Sequence, residues 1–387
     1  MNSDLLTREH KIQRNQQLDL LRALAIAMVV LYHLIVMSPE ALPGLERFTH
    51  FGQYGVDLFF VLSGWLIGSL YWHEQRRFGN VELWRFWGRR WFRTIPPYLV
   101  ALILSWLAVR WERHETFNWG YLVFIQNYYE RVPFFQVSWS LCIEEHFYLV
   151  FPLLMIWFAS SRRSVGVLFA FLIVLALLSR WWVSWQRAIP TEFGFKLTAT
   201  HLRVEGLALG FWAAYVSSFC PNWWSWMQKV SPYLAACAGA MLAVIACLPA
   251  LWMYRVGLTV LAVGFTALLV WLMNKPWQMG TGWSVIKAVA LCSYSVYLTH
   301  ALMLHAARSV LKTMPVLPWF SYFPIALGLI AIAGTLSYLL VERPSIILRD
   351  RWIARRTGVV IDNPAVPGTE EKPAAKPAQP GDGKESK

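Results

Sequence analysis

Charged side chains are scarce in this chain: Lys, Arg, Asp and Glu make up 15% of its 387 residues, where a soluble globular domain carries about 25%. No long polar insertion interrupts the apolar stretches between residues 18 and 341. A water-soluble fold, or a chain of several soluble domains, is thereby excluded. Cysteine is sparse as well. Cys142, Cys220, Cys237, Cys247 and Cys292 are scattered, most of them within apolar segments, and fit neither a disulfide framework nor a zinc site. Cys142 and His146 stand four residues apart, but two ligands without partners make no metal centre, and no metal is expected. Acidic residues are outnumbered 22 to 35, leaving a net charge of +13. That excess does not point to nucleic acid, because the basic residues cluster beside the ends of apolar runs. The first run follows Arg8, Lys11 and Arg14, which imitates a signal peptide. It is too long for one, and no small-x-small cleavage site closes it, so it reads as a retained span.

What the chain has in abundance is apolar length. Hydrophobic residues make up 57% of it, and 23 residues are tryptophan. Stretches long enough to span a bilayer recur at about 18–38, 51–71, 95–111, 138–159, 164–185, 201–219, 231–249, 254–273, 285–307 and 320–341. The expected fold is all-α, a polytopic bundle of about ten spans. The basic N-terminus, Arg76 to Arg93, Arg162 and Arg163, Lys229, Lys275, and Arg343 to Arg356 then all fall on one side of the membrane. The loop at 112–137 balances Arg113 and Arg131 with Glu112, Glu115 and Glu130; Arg308 and Lys312 are the main exceptions. Both termini are therefore expected to be cytoplasmic. The organisation predicted is a cytoplasmic segment at 1–17, a membrane domain at 18–349 and a largely disordered cytoplasmic tail at 350–387. Residues 82–94 mix arginine with aromatics and predict a helix lying at the cytoplasmic interface, stopped by Pro96 and Pro97.

Ionisable groups inside spans are costly and mark functional sites by default. Arg22 and His33 stand eleven positions apart in the first span. That spacing is about three helical turns, so they share a face and lie roughly 16 Å apart along the axis. With the topology above, Arg22 is near the cytoplasmic end and His33 in the outer half. Asp57, Glu144, Glu145, Arg203, Glu205 and His300 come from four other spans to the level of His33, with Ser63 near the middle. His305 reads as interfacial. Histidine beside a carboxylate is a general-base arrangement, so His33 is a candidate base with Glu144 or Glu145 as its orienter. Arg22, Arg89, Arg90 and Arg93 are placed to bind the phosphates of a cytosolic co-substrate. A transporter or flippase of a lipid-linked sugar would show the same polarity gradient. A glycan polymerase would need larger outer loops than 112–137.

The motifs themselves resemble the acyltransferase-3 family of integral membrane acyltransferases. The resemblance runs from about residue 17 to 349. It rests on Leu18-Asp19-Leu20-Leu21-Arg22 with Tyr32-His33, on Gly55-Val56-Asp57 through Ser63-Gly64, and on Arg90-Trp91-Phe92-Arg93 with Ile95-Pro96-Pro97-Tyr98. It continues in Trp139-Ser140-Leu141-Cys142-Ile143-Glu144-Glu145-His146-Phe147-Tyr148, Tyr294-Ser295-Val296-Tyr297-Leu298-Thr299-His300 and Glu342-Arg343-Pro344. The departures are His146, where members often carry glutamine, and Thr299, where they often carry tryptophan. The resemblance implies transfer of an acyl group, most often acetyl, from cytosolic acyl-CoA to a hydroxyl of a cell-envelope carbohydrate at the bacterial inner membrane. His33 matches the family's essential histidine, Arg22 its paired arginine, and Arg90 and Arg93 the arginines thought to serve the donor. Asp57, Ser63, Arg203, Glu205 and His300 are expected to support the substrates. Acyl-CoA is then a co-substrate, with no permanently bound cofactor. The partners are the lipid bilayer, the acceptor glycan and envelope-glycan assembly proteins. The chain reads as the stand-alone form, without a hydrolase-like domain after the membrane part. Succinyl or a longer acyl group fits the same residues.

Overall fold

The computed structural model describes residues 15–357 except 41, 114–115, 159–161, 186–194, 274–279, 281 and 315. Most of the expected N-terminal segment and tail thus lies outside the described residues. Among the described residues the secondary structure is helical, with no strand. The long helices are α1 (Gln16–Val36), α2 (Gly55–Phe78), α3 (Leu83–Arg113), α4 (Trp139–Phe158), α5 (Arg162–Trp185), α6 (Glu205–Phe219), α7 (Pro221–Ala246), α8 (Leu258–Met273), α9 (Trp283–Thr313), α10 (Tyr322–Ser337) and α11 (Arg343–Thr357). Their ends carry the usual signals. The Asn15 side chain accepts from the Gln17 and Leu18 amides at the start of α1, α2 stops at the left-handed Gly79, and α7 opens on Pro221.

Nine stretches among the described residues are long and apolar enough to cross a membrane. The segment expected at 201–219 is not one of them. Its helix, α6, has 15 residues, because the chain before it is a 3-10 turn at Thr200–Leu202 that does not continue into it as α-helix. This short helix is nonetheless the axis of the bundle. It runs parallel to α2, and both carry glycines one turn apart, Gly64 and Gly68 on α2, Gly206 and Gly210 on α6. A Cβ on Gly64 would strike the Leu207 carbonyl, and one on Gly210 the Val61 carbonyl. Small residues at this repeat let two backbones touch, which is how helices gain packing energy where no water drives them together. Beside this seam Phe211 of α6 packs between Trp72 of α2, at a ring separation of 5.5 Å, and Phe151 of α4, at 4.4 Å.

α1 and α9 are a second parallel pair: Arg22 and Tyr294 line one cavity, and further along both helices His33 meets His300. α9 and α10 form an antiparallel hairpin, with Ala307, Tyr322 and Ala326 in one buried cluster with Leu34 of α1.

Two expectations need correction. The stretch 82–94 does not stop at Pro96 and Pro97; α3 passes through both prolines as one helix of 31 residues. Each proline removes one i→i−4 bond, but the turn is tied from outside. Tyr294 Oη donates to the Thr94 carbonyl at 2.8 Å, and the Thr94 hydroxyl bonds within the helix to the Arg90 carbonyl and across to Glu145. Neighbouring helices supply such bonds inside a membrane domain. The arginine-rich stretch is therefore carried into the bundle. Likewise the boundary at 349–350 falls within α11, which continues α10 through a π-helical turn at Tyr338–Glu342. Ile353 is buried and Trp352 packs on Gly88 of α3.

Gly210→Val should cost at least about 1–3 kcal/mol by overpacking and appear as early melting and aggregation in detergent. Gly239→Ala, where a Cβ meets nothing within 4 Å, should melt with the parent. Equal melting of the two variants would refute the close α2–α6 contact.

Candidate functional site

A cavity of about 80 Å³ opens between α1, α2, α3, α4 and α9, room for several water molecules. Arg22, Ser63, Arg90, Arg93, Glu144 and Tyr297 supply much of its polar lining, with Phe59, Phe60, Leu62, Leu66 and Leu141 as its apolar wall. Five residues singled out in the sequence thus come from four helices to one space.

Each polar group there is held by a specific neighbour. Arg90 donates through Nη2 to Glu144 Oε2 at 3.0 Å, and its guanidinium lies over the Tyr148 ring, 4.3 Å from the centroid. Glu144 also accepts from Ser63 Oγ at 3.0 Å and from the Tyr148 hydroxyl at 2.8 Å. Its two oxygens are therefore committed, and the whole knot joins α2, α3 and α4. Glu145 points elsewhere, accepting from Trp91 Nε1 at 2.9 Å and Thr94 Oγ1 at 3.1 Å. Arg93 pairs with Glu342 at 3.3 Å, a carboxylate that also takes a bond from Ser295 Oγ at 2.7 Å. The π-helical turn seats Glu342 there, fully buried; such turns recur at functional positions. Arg22 pairs with Asp19, one turn back, at 3.3 Å. Arg89 lies 4.0 Å from Glu74, which Arg85 also holds.

The expected partnership of His33 with a glutamate is not made. Among the described residues no hydrogen bond or ion pair joins His33 to Glu144 or Glu145. His33 Nδ1 lies 2.9 Å from the Val29 carbonyl. A carbonyl oxygen only accepts, so Nδ1 carries the proton and the basic lone pair sits on Nε2. The ring's neighbour is instead His300, 5.0 Å away edge to face. His300 is held the same way, Nδ1 donating to the Tyr297 carbonyl at 2.7 Å, and its Nε2 is buried without a partner. Tyr297 joins the two regions. It lines the cavity, its ring is 5.7 Å from that of His300, and its hydroxyl bonds the Val137 carbonyl and Ser140.

The remaining sequence candidates form a separate charged cluster. Arg203 Nη2 meets both oxygens of Asp57, at 2.9 and 3.0 Å, and stacks over Trp139, 5.1 Å from the ring centroid. Glu205 pairs with Arg180, which also bonds the Leu202 carbonyl and Thr259. These contacts tie α2, α5, α6 and α8 together. His146 bonds Thr200 at 2.7 Å, and His305 is exposed. Sequence reasoning missed Arg180, Glu342 and Tyr148. Arg180 was visible as an arginine within an apolar run; Glu342 sat in a quoted motif without a role. Tyr148 closed another quoted motif, likewise without a role, since a tyrosine in an apolar helix is ordinarily core. Among the described residues no three His, Cys, Asp or Glu side chains are grouped as metal ligands would be.

Five helices thus present arginines at one end of a cavity and an imidazole pair beyond the other. The acyltransferase domain family matches residues 15–338 of this chain. The chain belongs to the acyltransferase-3 family. With nine candidate spans among its described residues, this family member is a multi-pass membrane protein. Among its relatives is "Putative O-acetyltransferase SAS0844" of Staphylococcus aureus (strain MSSA476), 32% identical over 183 residues, covering 42% of this chain and 29% of the relative. Another is "O-acetyltransferase OatA" of Staphylococcus aureus (strain NCTC 8325 / PS 47), 35% identical over 155 residues, covering 36% of this chain and 24% of the relative. The match therefore spans less than a third of these relatives' own length. No solved structure matches this acyltransferase-3 chain.

Breaking a buried ion pair from one side leaves the partner uncompensated, at about 3–5 kcal/mol. Arg203→Met should therefore lower thermal stability clearly, and Asp57→Asn with Arg203→Met should recover at least half the loss. A double variant as unstable as the sum of both singles would show that the pair is not coupled.

Proposed function

We propose that the protein is a membrane O-acyltransferase that moves an acyl group, acetyl by analogy with its relatives' names, from acyl-CoA to a hydroxyl of a cell-envelope carbohydrate. The observation that carries this reading is the polarity of the site: Arg22 and Arg93 line one end of an apolar-walled cavity, and beyond Tyr297 stands an imidazole whose Nε2 lone pair is left available by the Nδ1 bond to Val29. The donor enters from the arginine end, which the positive-inside rule makes cytoplasmic, in a bacterial inner membrane. Its phosphates meet Arg22, Arg93 and Arg89. Arg90 is committed to Glu144 and shapes the cavity wall. The thioester lies along Phe59, Phe60 and Leu141.

The acceptor hydroxyl approaches His33 from the opposite side. Nε2 takes its proton, the oxygen attacks the thioester carbonyl, the C–S bond breaks, and the leaving thiolate receives that proton from the imidazolium. Glu144 and Glu145 act on this chemistry by holding α3 against α4. The bundle excludes water from the thioester, which favours the glycan hydroxyl over hydrolysis.

Removing a general base typically costs about 10²–10⁴-fold in rate. In lipid nanodiscs with radiolabelled acetyl-CoA, His33→Gln should lose that much transfer to envelope glycan while its melting temperature and CoA affinity hold. Transfer at the parent rate by His33→Gln would exclude His33 as the base.

A further inference from the structure

Outside the cavity, the first turns of α3 carry an aromatic cluster that the chemistry above leaves unused. α11 lies across Gly88, where a Cβ would run into the six-membered ring of Trp352. Trp352 meets Trp84 edge to face at 5.2 Å and Phe92 at 5.3 Å. Neither tryptophan is fully buried. The Arg356 guanidinium sits over both, 4.7 Å from the Trp352 ring and 5.4 Å from that of Trp84. Arg349 Nη1 bonds the Arg89 carbonyl at 3.3 Å, fastening α11 to α3 beside the cluster.

The cluster stands in line with the cavity. Along α3, Arg89 lies ~7 Å and Arg93 ~14 Å beyond Trp84, by helical rise. Half-buried rings under Arg356 come first, then Arg89 with a quarter of its side chain exposed, then Arg93 at the cavity. Coenzyme A has the same order of chemistry: an adenine with a ribose 3′-phosphate, then a diphosphate, then the thin pantetheine arm with its thioester. A purine stacks on tryptophan faces, and a guanidinium held against those faces is placed for a phosphate. Resting on the donor reading above, we infer that Trp84, Trp352 and Arg356 form the subsite for the adenine and 3′-phosphate of the acyl-CoA donor. The site is assembled only when α11 is docked on α3, so α11 completes the donor path.

The test is calorimetry on the full chain in nanodiscs, with coenzyme A, 3′-dephospho-coenzyme A and 4′-phosphopantetheine as probes. Loss of one base-stacking ring corresponds to about 5–100-fold in affinity. Trp84→Leu and Trp352→Leu should weaken coenzyme A by that factor and leave phosphopantetheine unchanged. Arg356→Gln, at an exposed position, should weaken coenzyme A but not the 3′-dephospho form. Unchanged coenzyme A affinity in Arg356→Gln and both tryptophan variants overturns the subsite while the donor reading stands. Equal weakening of all three probes makes the rings mere packing and overturns it too. A parent protein that binds no coenzyme A overturns the donor reading and the subsite together.

Discussion

Arg90 and Glu144 neutralise each other inside a helix bundle, and much of the structure follows from that requirement. A guanidinium and a carboxylate each lose several kcal/mol of hydration on leaving water and regain it only with close, well-aligned partners. Arg90 therefore has to find Glu144, Ser63 and Tyr148, and those partners lie on α2 and α4. Meeting that demand draws α3 into the interior despite two prolines and brings three helices around one cavity. The same rule is met by Arg93 with Glu342, Arg203 with Asp57, and Arg180 with Glu205. These pairs fix which helices are neighbours, in a solvent where apolar faces alone are nearly indifferent to one another.

Pairing also divides labour among groups of the same type. Both oxygens of Glu144 accept bonds, from Ser63 on one side and from Arg90 and Tyr148 on the other, so it braces Arg90. His33 is held through Nδ1 by its own helix, with no bond to Glu144 or Glu145 among the described residues. The distance between arginines and imidazoles is set by α1 and α9 running parallel, each presenting a cavity residue and, further along, a histidine.

Much of this was legible in the sequence. Apolar run length marks spans, because an unsatisfied backbone in lipid leaves only the helix. The eleven-residue separation placed Arg22 and His33 on one face, and the helix kept them there. The ionisable residues expected at the level of His33 do not form one set: Glu144 shares a cavity with Arg22, Ser63, Arg90 and Arg93, Asp57 pairs with Arg203 and Glu205 with Arg180 elsewhere, and His300 alone stands beside His33. What misled was local reasoning about α3: tryptophans, arginines and a Pro-Pro pair describe an interfacial helix well, and nothing nearby in sequence announces that Glu144 and Tyr294 will hold it inside.

Sequence by itself determined that the chain is helical and which residues are too costly to be idle, because those properties depend on neighbours within a few turns. Only the tertiary structure decided which charge meets which. Partners such as Arg93 and Glu342 are separated by 249 positions, and an arginine accepts any carboxylate that packing brings within reach. The close contact of Gly64 and Gly210 belongs to the same class. A glycine in an apolar helix has no evident purpose until a second backbone lies against it.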